Sequence, residues 1–395
     1  MKYIFTILLT YCFSSMYAQD AILNYAENDT INDNAVIDFG KKLQASFYEK
    51  ETTFFLDNFD KDGFASKIVL TDEEIANSKD LKAFNGSFKK GFFSKFDAFP
   101  TKIIESMEND NSYDIVNFYY SEDEKKYHLL FRMFSDEEGL NYHDYQLNYV
   151  NNKFLIEDLY IYTTGEYLSD TLRQLYLMAI PKNYMEDINM SKEQISNMVF
   201  IFGYKNLVAK KEYKKALDLL NNLKGDIRNQ KIFYILKIQV ASEINEVYYM
   251  EAIDELLKKF PDDPSTQLMA VDYYVMLKDY NATMGALNQL QEVTEDDFVE
   301  YVKGNMAWEF EDYEGAEKAY TYIMNEYPNY QMAKINLLYL YDFLEKHEDN
   351  ILLLNKIINS EEFSKQELID FIDDKENEFI NLPNAAIYTK WKEKK

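Results

Sequence analysis

Cysteine is almost absent from this chain: Cys12 is the only one in 395 residues, and it lies inside an apolar leader. Once that leader is lost there is no disulfide, no thiolate nucleophile and no cysteine-based metal site. Tyr11 stands before Cys12 and Phe13 follows it, which is not the small-residue setting of a lipidated cysteine. Glycine is scarce at 11 residues, and no glycine-rich phosphate loop opens a helix. A Gly-x-Ser-x-Gly elbow is missing too, so neither nucleotide binding nor serine hydrolysis has local support. Beyond the leader no segment is apolar for the ~20 residues that a spanning helix needs, so no transmembrane span is expected after processing. Histidine occurs three times, at His128, His143 and His347. Two of these on neighbouring predicted strands, without cysteine, are a poor metal set. The spacing of Asp57, Asp60 and Asp62 departs from an EF-hand, because no bidentate glutamate closes the loop. No metal and no cofactor is predicted.

What is abundant is acid. The chain carries 69 acidic against 42 basic residues, a formal net charge of −27. Met1-Lys2, an apolar run from Tyr3 to Phe13 and the small polar stretch Ser14–Gln19 read as a secretory signal peptide over 1–19, cut after Ala18 or Gln19. Its removal leaves 41 basic and 69 acidic residues, or −28. Such a surface repels phosphate backbones and anionic headgroups, which disfavours nucleic acid, and no nucleic-acid partner is expected. Secreted eukaryotic proteins of this size usually carry disulfides, so the expectation is a bacterial envelope protein, periplasmic or secreted. The 34 tyrosines and 28 phenylalanines supply apolar surface for two cores.

Residues 20–181 predict an α+β domain. Val36, Phe39, Gly40, Leu43 and Phe47 recur at helical spacing, as do Phe54, Phe55 and Phe59. Further helices are expected over Lys67 to Ile75 and from Leu81 to about Met107, broken or bent before Pro100. The rhythm then changes to strands at 113–120, 126–135, 140–150 and 153–162, with Asn151-Asn152 as a tight turn. A helix follows from about Glu166 to Ala179, after a Thr163-Thr164-Gly165 turn, and Pro181 closes the domain. Helices on a four-stranded antiparallel meander resemble, in element order, the nuclear-transport-factor-2-like or cystatin-like class. That resemblance implies a cone with a possible pocket. Asp144 shares a strand face with Tyr142 and Gln146, and Asp158 shares one with Ile156, Tyr160 and Tyr162. An aspartate among tyrosines in an apolar cone suits a general base, and Arg132 suits an anion. The competing and preferred reading puts Arg132, Asp144 and Asp158 on a solvent face as exposed ion pairs. No catalytic residue is assigned.

From Ser191 the chain reads as helix. Gly304, Ala307, Tyr313, Ala316, Tyr320 and Pro328 stand at spacings of 3, 6, 3, 4 and 8. Aligned on the small residue of the second helix, Ala216, Ala252, Thr283, Ala316 and Ile351 repeat about every 34 residues, preceded by Tyr213, Tyr249, Tyr280 and Tyr313. The pattern resembles the tetratricopeptide repeat over about 191–360, with capping helices over 361–395. The resemblance implies a close helix–helix contact at Gly304 and Ala316, small positions that let the two helices of one unit approach. It also implies a groove on the first helices, formed by Tyr301, Asn305 and Trp308, by Leu268, Asp272 and Val275, and extended by Lys205 and Lys237. Basic and asparagine residues there are too scattered for a two-carboxylate clamp, and Trp308 is equally suited to anchor a partner or to fill the core.

The expected fold is therefore an α+β domain followed by an all-α helical-repeat solenoid. The expected function is non-catalytic recognition of a protein or peptide in the envelope. The alternative is small-molecule binding, or isomerase- or hydratase-like catalysis, in the N-terminal cone.

Overall fold

The computed structural model describes residues 30–395 apart from 76–77, 109–111, 138, 152, 181–191, 225, 262, 361–362 and 395. The leader, Cys12 and Pro181 lie outside the described residues. The chain falls into two compact units, Met1–Tyr273 and Tyr274–Lys395.

In the first unit, five helices precede the sheet: α1 (Thr30–Tyr48), α2 (Thr53–Asp57), α3 (Lys61–Ile68), α4 (Lys79–Phe93) and α5 (Ala98–Glu108). The helix expected over Lys67 to Ile75 lies earlier, as α3. Asp60 caps it by accepting from Gly63 N at 2.9 Å, and Val69 leaves in an extended conformation. Asp60 therefore works as a helix cap. The stretch after Leu81 is broken before Pro100, into α4 and α5 separated by a turn at 94–97.

The strands are β1 (Ser112–Ser121), β2 (Lys126–Ser135), β3 (Gly139–Val150), β4 (Lys153–Ile161) and a two-residue β5 (Glu166–Tyr167), paired in sequence order as an antiparallel meander. The sheet has five strands, one more than the meander read from sequence. Val150 pairs with Lys153, and Asn151 takes φ 50° in the tight turn between them. Asparagine tolerates that left-handed conformation. The helices cover one face through a phenylalanine-rich core in which Phe55, Phe59, Phe64 and Phe96 meet Phe131, Tyr145 and Leu147. Two irregularities interrupt the pleat, at Ile115/Asn117 and beside Gln146/Leu147. The second makes Leu147 pair with Ile156 and Gln146 with Asp158, so Glu157 is the extra residue. Ile156 consequently packs into the helical core while Asp158 turns to the other face, contrary to the strict alternation assumed from sequence.

The helix after the sheet, α6, spans Leu168–Ala179, and Glu166-Tyr167 are strand rather than its first turn. Helical hairpins follow: α7 (Lys192–Ala209) with α8 (Tyr213–Asn221), and α9 (Lys231–Ser242) with α10 (Glu246–Lys259). Helix α11 (Pro264–Met276) contains the boundary between the units.

The second unit continues with α12 (Tyr280–Thr294), the hairpin α13 (Val299–Glu309) and α14 (Tyr313–Glu326), the hairpin α15 (Gln331–Phe343) and α16 (His347–Asn359), and terminal helices α17 (Lys365–Asp373) and α18 (Ala386–Glu393). Four of the interhelical turns share one device. Lys211, Lys278, Glu311 and Glu345 each have positive φ, at 58°, 55°, 64° and 54°. The next N–H in each case bonds back across five residues, as Glu212 to Leu207, Asp279 to Tyr274, Asp312 to Ala307 and Lys346 to Tyr341. These are Schellman closures with a lysine or glutamate where glycine is usual. Five residues past each such turn sit Ala216, Thr283, Ala316 and Asn350, all fully buried. The fifth small position is thus Asn350, one residue before the expected Ile351, which is only half-buried. The Asn350 amide reaches the Leu338 carbonyl and the Asp342 N–H.

Among the described residues no helix is long and apolar enough to cross a membrane.

Candidate functional site

The N-terminal residues singled out by sequence come together on one face of the sheet. Arg132 pairs with Tyr142, Asp144 with Tyr160, and Gln146 with Asp158, all on the side opposite the phenylalanine core. The expectation of solvent-exposed ion pairs fails. Arg132, Asp144 and Asp158 are 5%, 6% and 1% exposed, Tyr142 is buried and Tyr160 half-buried.

Their bonding is largely internal. Asp144 accepts from Tyr119 at 2.5 Å and lies 3.0 Å from His128 Nδ1. The other ring nitrogen of His128 lies 2.7 Å from Glu124, which also takes bonds from Gln146 and Tyr167. Burial alone would lower the His128 pKa, but the hydrogen bond and charge of Asp144, joined by Glu124, raise it. Burial, then the Asp144 carboxylate, drives the Tyr119 hydroxyl well up. Asp158 accepts from Ser169 Oγ at 2.6 Å, from the N–H groups of Ser169 and Leu159, and from Lys67 at 3.1 Å. A carboxylate so fully occupied is an anchor between β4 and α6 rather than a base awaiting a substrate proton. Arg132 reaches Asp114 at 3.2 Å. His143 faces the opposite way, 2.9 Å from Tyr113, so it cannot share a metal with His128. No cluster that could hold a metal occurs among the described residues.

A cleft of about 370 Å³ opens in this unit between the β4–β5 turn, α6 and the start of α9. Tyr160 lines it together with Glu166, Asp170, Arg173 and Lys231, whereas Asp144 and Asp158 do not. Lys231 is 2.8 Å from the Tyr160 hydroxyl and 2.7 Å from Asp263. Gly165 has φ +65°, and a Cβ there would stand 2.8 Å from Lys231 Cε. Burial raises the carboxyls of Glu166 and Asp170. The sequence reading missed Lys231 because its partners are distant along the chain.

Of the groove residues expected in this unit, Lys237 is tied to Glu255 by two bonds of 2.7 and 2.6 Å, so its ammonium is spoken for. Lys205 is half-buried, and burial lowers its pKa against the pull of Glu166. On α11, Leu268 is half-buried and Asp272 exposed.

In the second unit Val275 is half-buried. Tyr301 is fully buried, its ring 4.9 Å from that of Tyr330 and its hydroxyl accepting from Asn336 at 3.0 Å. It belongs to the hairpin core, not to an open groove, which corrects its expected role. Asn305 and Trp308 lie where a groove on the first helices requires them. They line a cleft of about 540 Å³ with Asn336, Tyr339 and Phe343 of α15 and with residues 376–381. Trp308 and Phe343 have ring centroids 6.1 Å apart, and Tyr313 closes the group at 5.2 Å from Phe343. Tyr339 stacks on Phe379 at 4.5 Å; burial, then the charge of Glu378, raises its hydroxyl. Phe343 is 56% and Ile380 71% exposed at the lips. The Asn305 side-chain oxygen accepts from Tyr320 and from Asn336. Asp342, buried, receives the N–H groups of Ile380, Asn381 and Leu382 and so pins the far wall of the cleft. Sequence periodicity could place Trp308, but the returning wall at 376–381 has no periodic signal.

No protein-family model matches the chain, and no curated protein matches it. Part of the chain is similar to solved structures of MamA. For MamA AMB-1 the identity is 15% and the TM-score 0.33, with 45% of this chain and 97% of that chain covered. For MamA MSR-1 the identity is 15% and the TM-score 0.33, with 42% and 98% covered.

Proposed function

We propose that this chain is an exported, non-catalytic binding protein that holds a protein or peptide segment on the first-helix face of its C-terminal repeats. The observation that carries the reading is the open aromatic cleft of Trp308, Tyr339 and Phe343, with Phe343 more than half exposed. Tryptophan and tyrosine are enriched among binding hot spots, and an exposed phenylalanine at the mouth of a cleft is costly to leave in water. Export rests on the leader, and a periplasmic or secreted setting suits a mature chain without cysteine. The helices-then-meander order of the first unit supports its likeness to the nuclear-transport-factor-2-like class in arrangement. The internal bonding of Asp144 and Asp158 supports a non-catalytic reading of the first unit.

Trp308→Ala tests the reading when stability and capture of envelope proteins are measured side by side. Lost capture with a melting temperature close to wild type supports the cleft. Full capture by the folded variant removes Trp308 from the site, and a collapsed melting temperature returns it to the core.

A further inference from the structure

Resting on the reading above, we infer that the cleft between α13, α15 and residues 376–381 takes a basic side chain, lysine or arginine, presented by an otherwise apolar segment of the partner. Three aromatic rings, Trp308, Tyr339 and Phe343, form its floor and lip, and two exposed carboxylates, Glu376 and Glu378, stand on its rim. Its remaining polar lining is mostly asparagine, and no lysine or arginine lines it. A cation over an aromatic face is held by the ring quadrupole, and a nearby carboxylate adds charge of the complementary sign.

Elsewhere in the same unit this chain fills such ring-and-carboxylate sites with its own lysines. Lys392 lies 4.6 Å from the Tyr388 ring centroid and 2.9 Å from Asp373. Lys346 lies 5.8 Å from the Tyr341 ring centroid and 2.6 Å from Glu317. The Trp308 cleft has the same ingredients, with room for a side chain and its flanking residues, and no cation of its own. The unit as a whole carries 25 acidic residues against 12 lysines, so a basic segment is drawn to it and an acidic one repelled. The apolar lips, Phe343 and Ile380, set the second requirement: the residues beside the cation are apolar.

The test uses the full mature chain and blocked pentapeptides of the frame Leu-Ala-Lys-Leu-Ala, with arginine, norleucine or glutamate in place of the lysine. Binding is followed by titration calorimetry and by the indole resonance of Trp308, at low and at physiological salt. The lysine and arginine peptides are expected to bind about tenfold more tightly than norleucine, with glutamate weakest and the preference shrinking as salt rises. A Glu376→Gln/Glu378→Gln variant, altered only at exposed positions, is expected to level lysine with norleucine while still binding both. Norleucine binding as tightly as lysine to the wild type overturns the basic-residue inference and leaves the cleft reading in place. Failure of all four peptides to move the Trp308 resonance overturns both.

Discussion

A Cβ on Gly304 would stand 2.7 Å from Cε1 of Tyr320, so glycine is what lets α13 lie against that ring. Ala319 stands 3.1 Å from the same point, and Ala316, on the same second helix, is fully buried. Tyr320 cannot easily give way: it is buried and its hydroxyl bonds Asn305. Gly304→Leu is therefore expected to cost about 1–3 kcal/mol by overpacking. Thermal or denaturant unfolding of the variant measures it, and a wild-type melting temperature would show that the seam is loose.

Asp342 holds the returning segment that walls the cleft. Replacing it with alanine leaves the N–H groups of Ile380, Asn381 and Leu382 without their acceptor. The expected cost is about 1–3 kcal/mol, with faster amide exchange at those three residues. Unchanged exchange there in Asp342→Ala would mean that the wall stands without this carboxylate.

The two sheet histidines carry opposite pH signatures. Burial pushes the His143 pKa down to about 4. The unfolded chain, with a value of about 6.5, takes up the proton first, so this contribution is full above about pH 6.5 and is lost as the pH falls toward 4, to the extent of about 3 kcal/mol. His128 is shifted up between Asp144 and Glu124. Its contribution is full below about pH 6.5 and is lost as the pH rises through the folded value. Proton NMR titration of the ring resonances reads both. A His143 ring that titrates near 6.5 would remove it from the sealed core.

Processing follows from the leader. The native protein is expected to begin at Gln19 or Asp20. N-terminal sequencing of material from its own cells decides it, and an intact Met1 would withdraw the export proposal.

How far the sequence spoke depended on the range of each signal. The four long strands were legible almost to the residue, because aromatic and β-branched runs broken by polar turns depend on neighbours alone. The burial of Asp144 and Asp158 was not, since a two-residue period separates the faces without saying whether the second is covered. The extra residue at Glu157 moved Ile156 across the sheet for the same reason: a bulge leaves no compositional mark. In the repeats, four of the interhelical turns are built on Lys211, Lys278, Glu311 and Glu345 rather than glycine, so the strongest helix-stop signal was missing there and the fifth register slipped by one. Trp308 was found by repeat spacing. Its companions Tyr339 and Phe343 lie one unit on, and Glu376 and Glu378 arrive through the fold-back held by Asp342, which no local rule anticipates.

The account turns on whether the Trp308–Phe343 cleft meets a partner. The direct measurement is site-specific photo-crosslinking in the native envelope, with a benzophenone side chain at position 343 and, as the comparison, at position 247, where Val247 is equally open at 63% exposure in the other unit. The account predicts a discrete protein adduct from position 343 that Trp308→Ala abolishes and that an excess of the lysine pentapeptide suppresses. An adduct from position 247 with none from position 343, or one from 343 indifferent to Trp308→Ala, would contradict it.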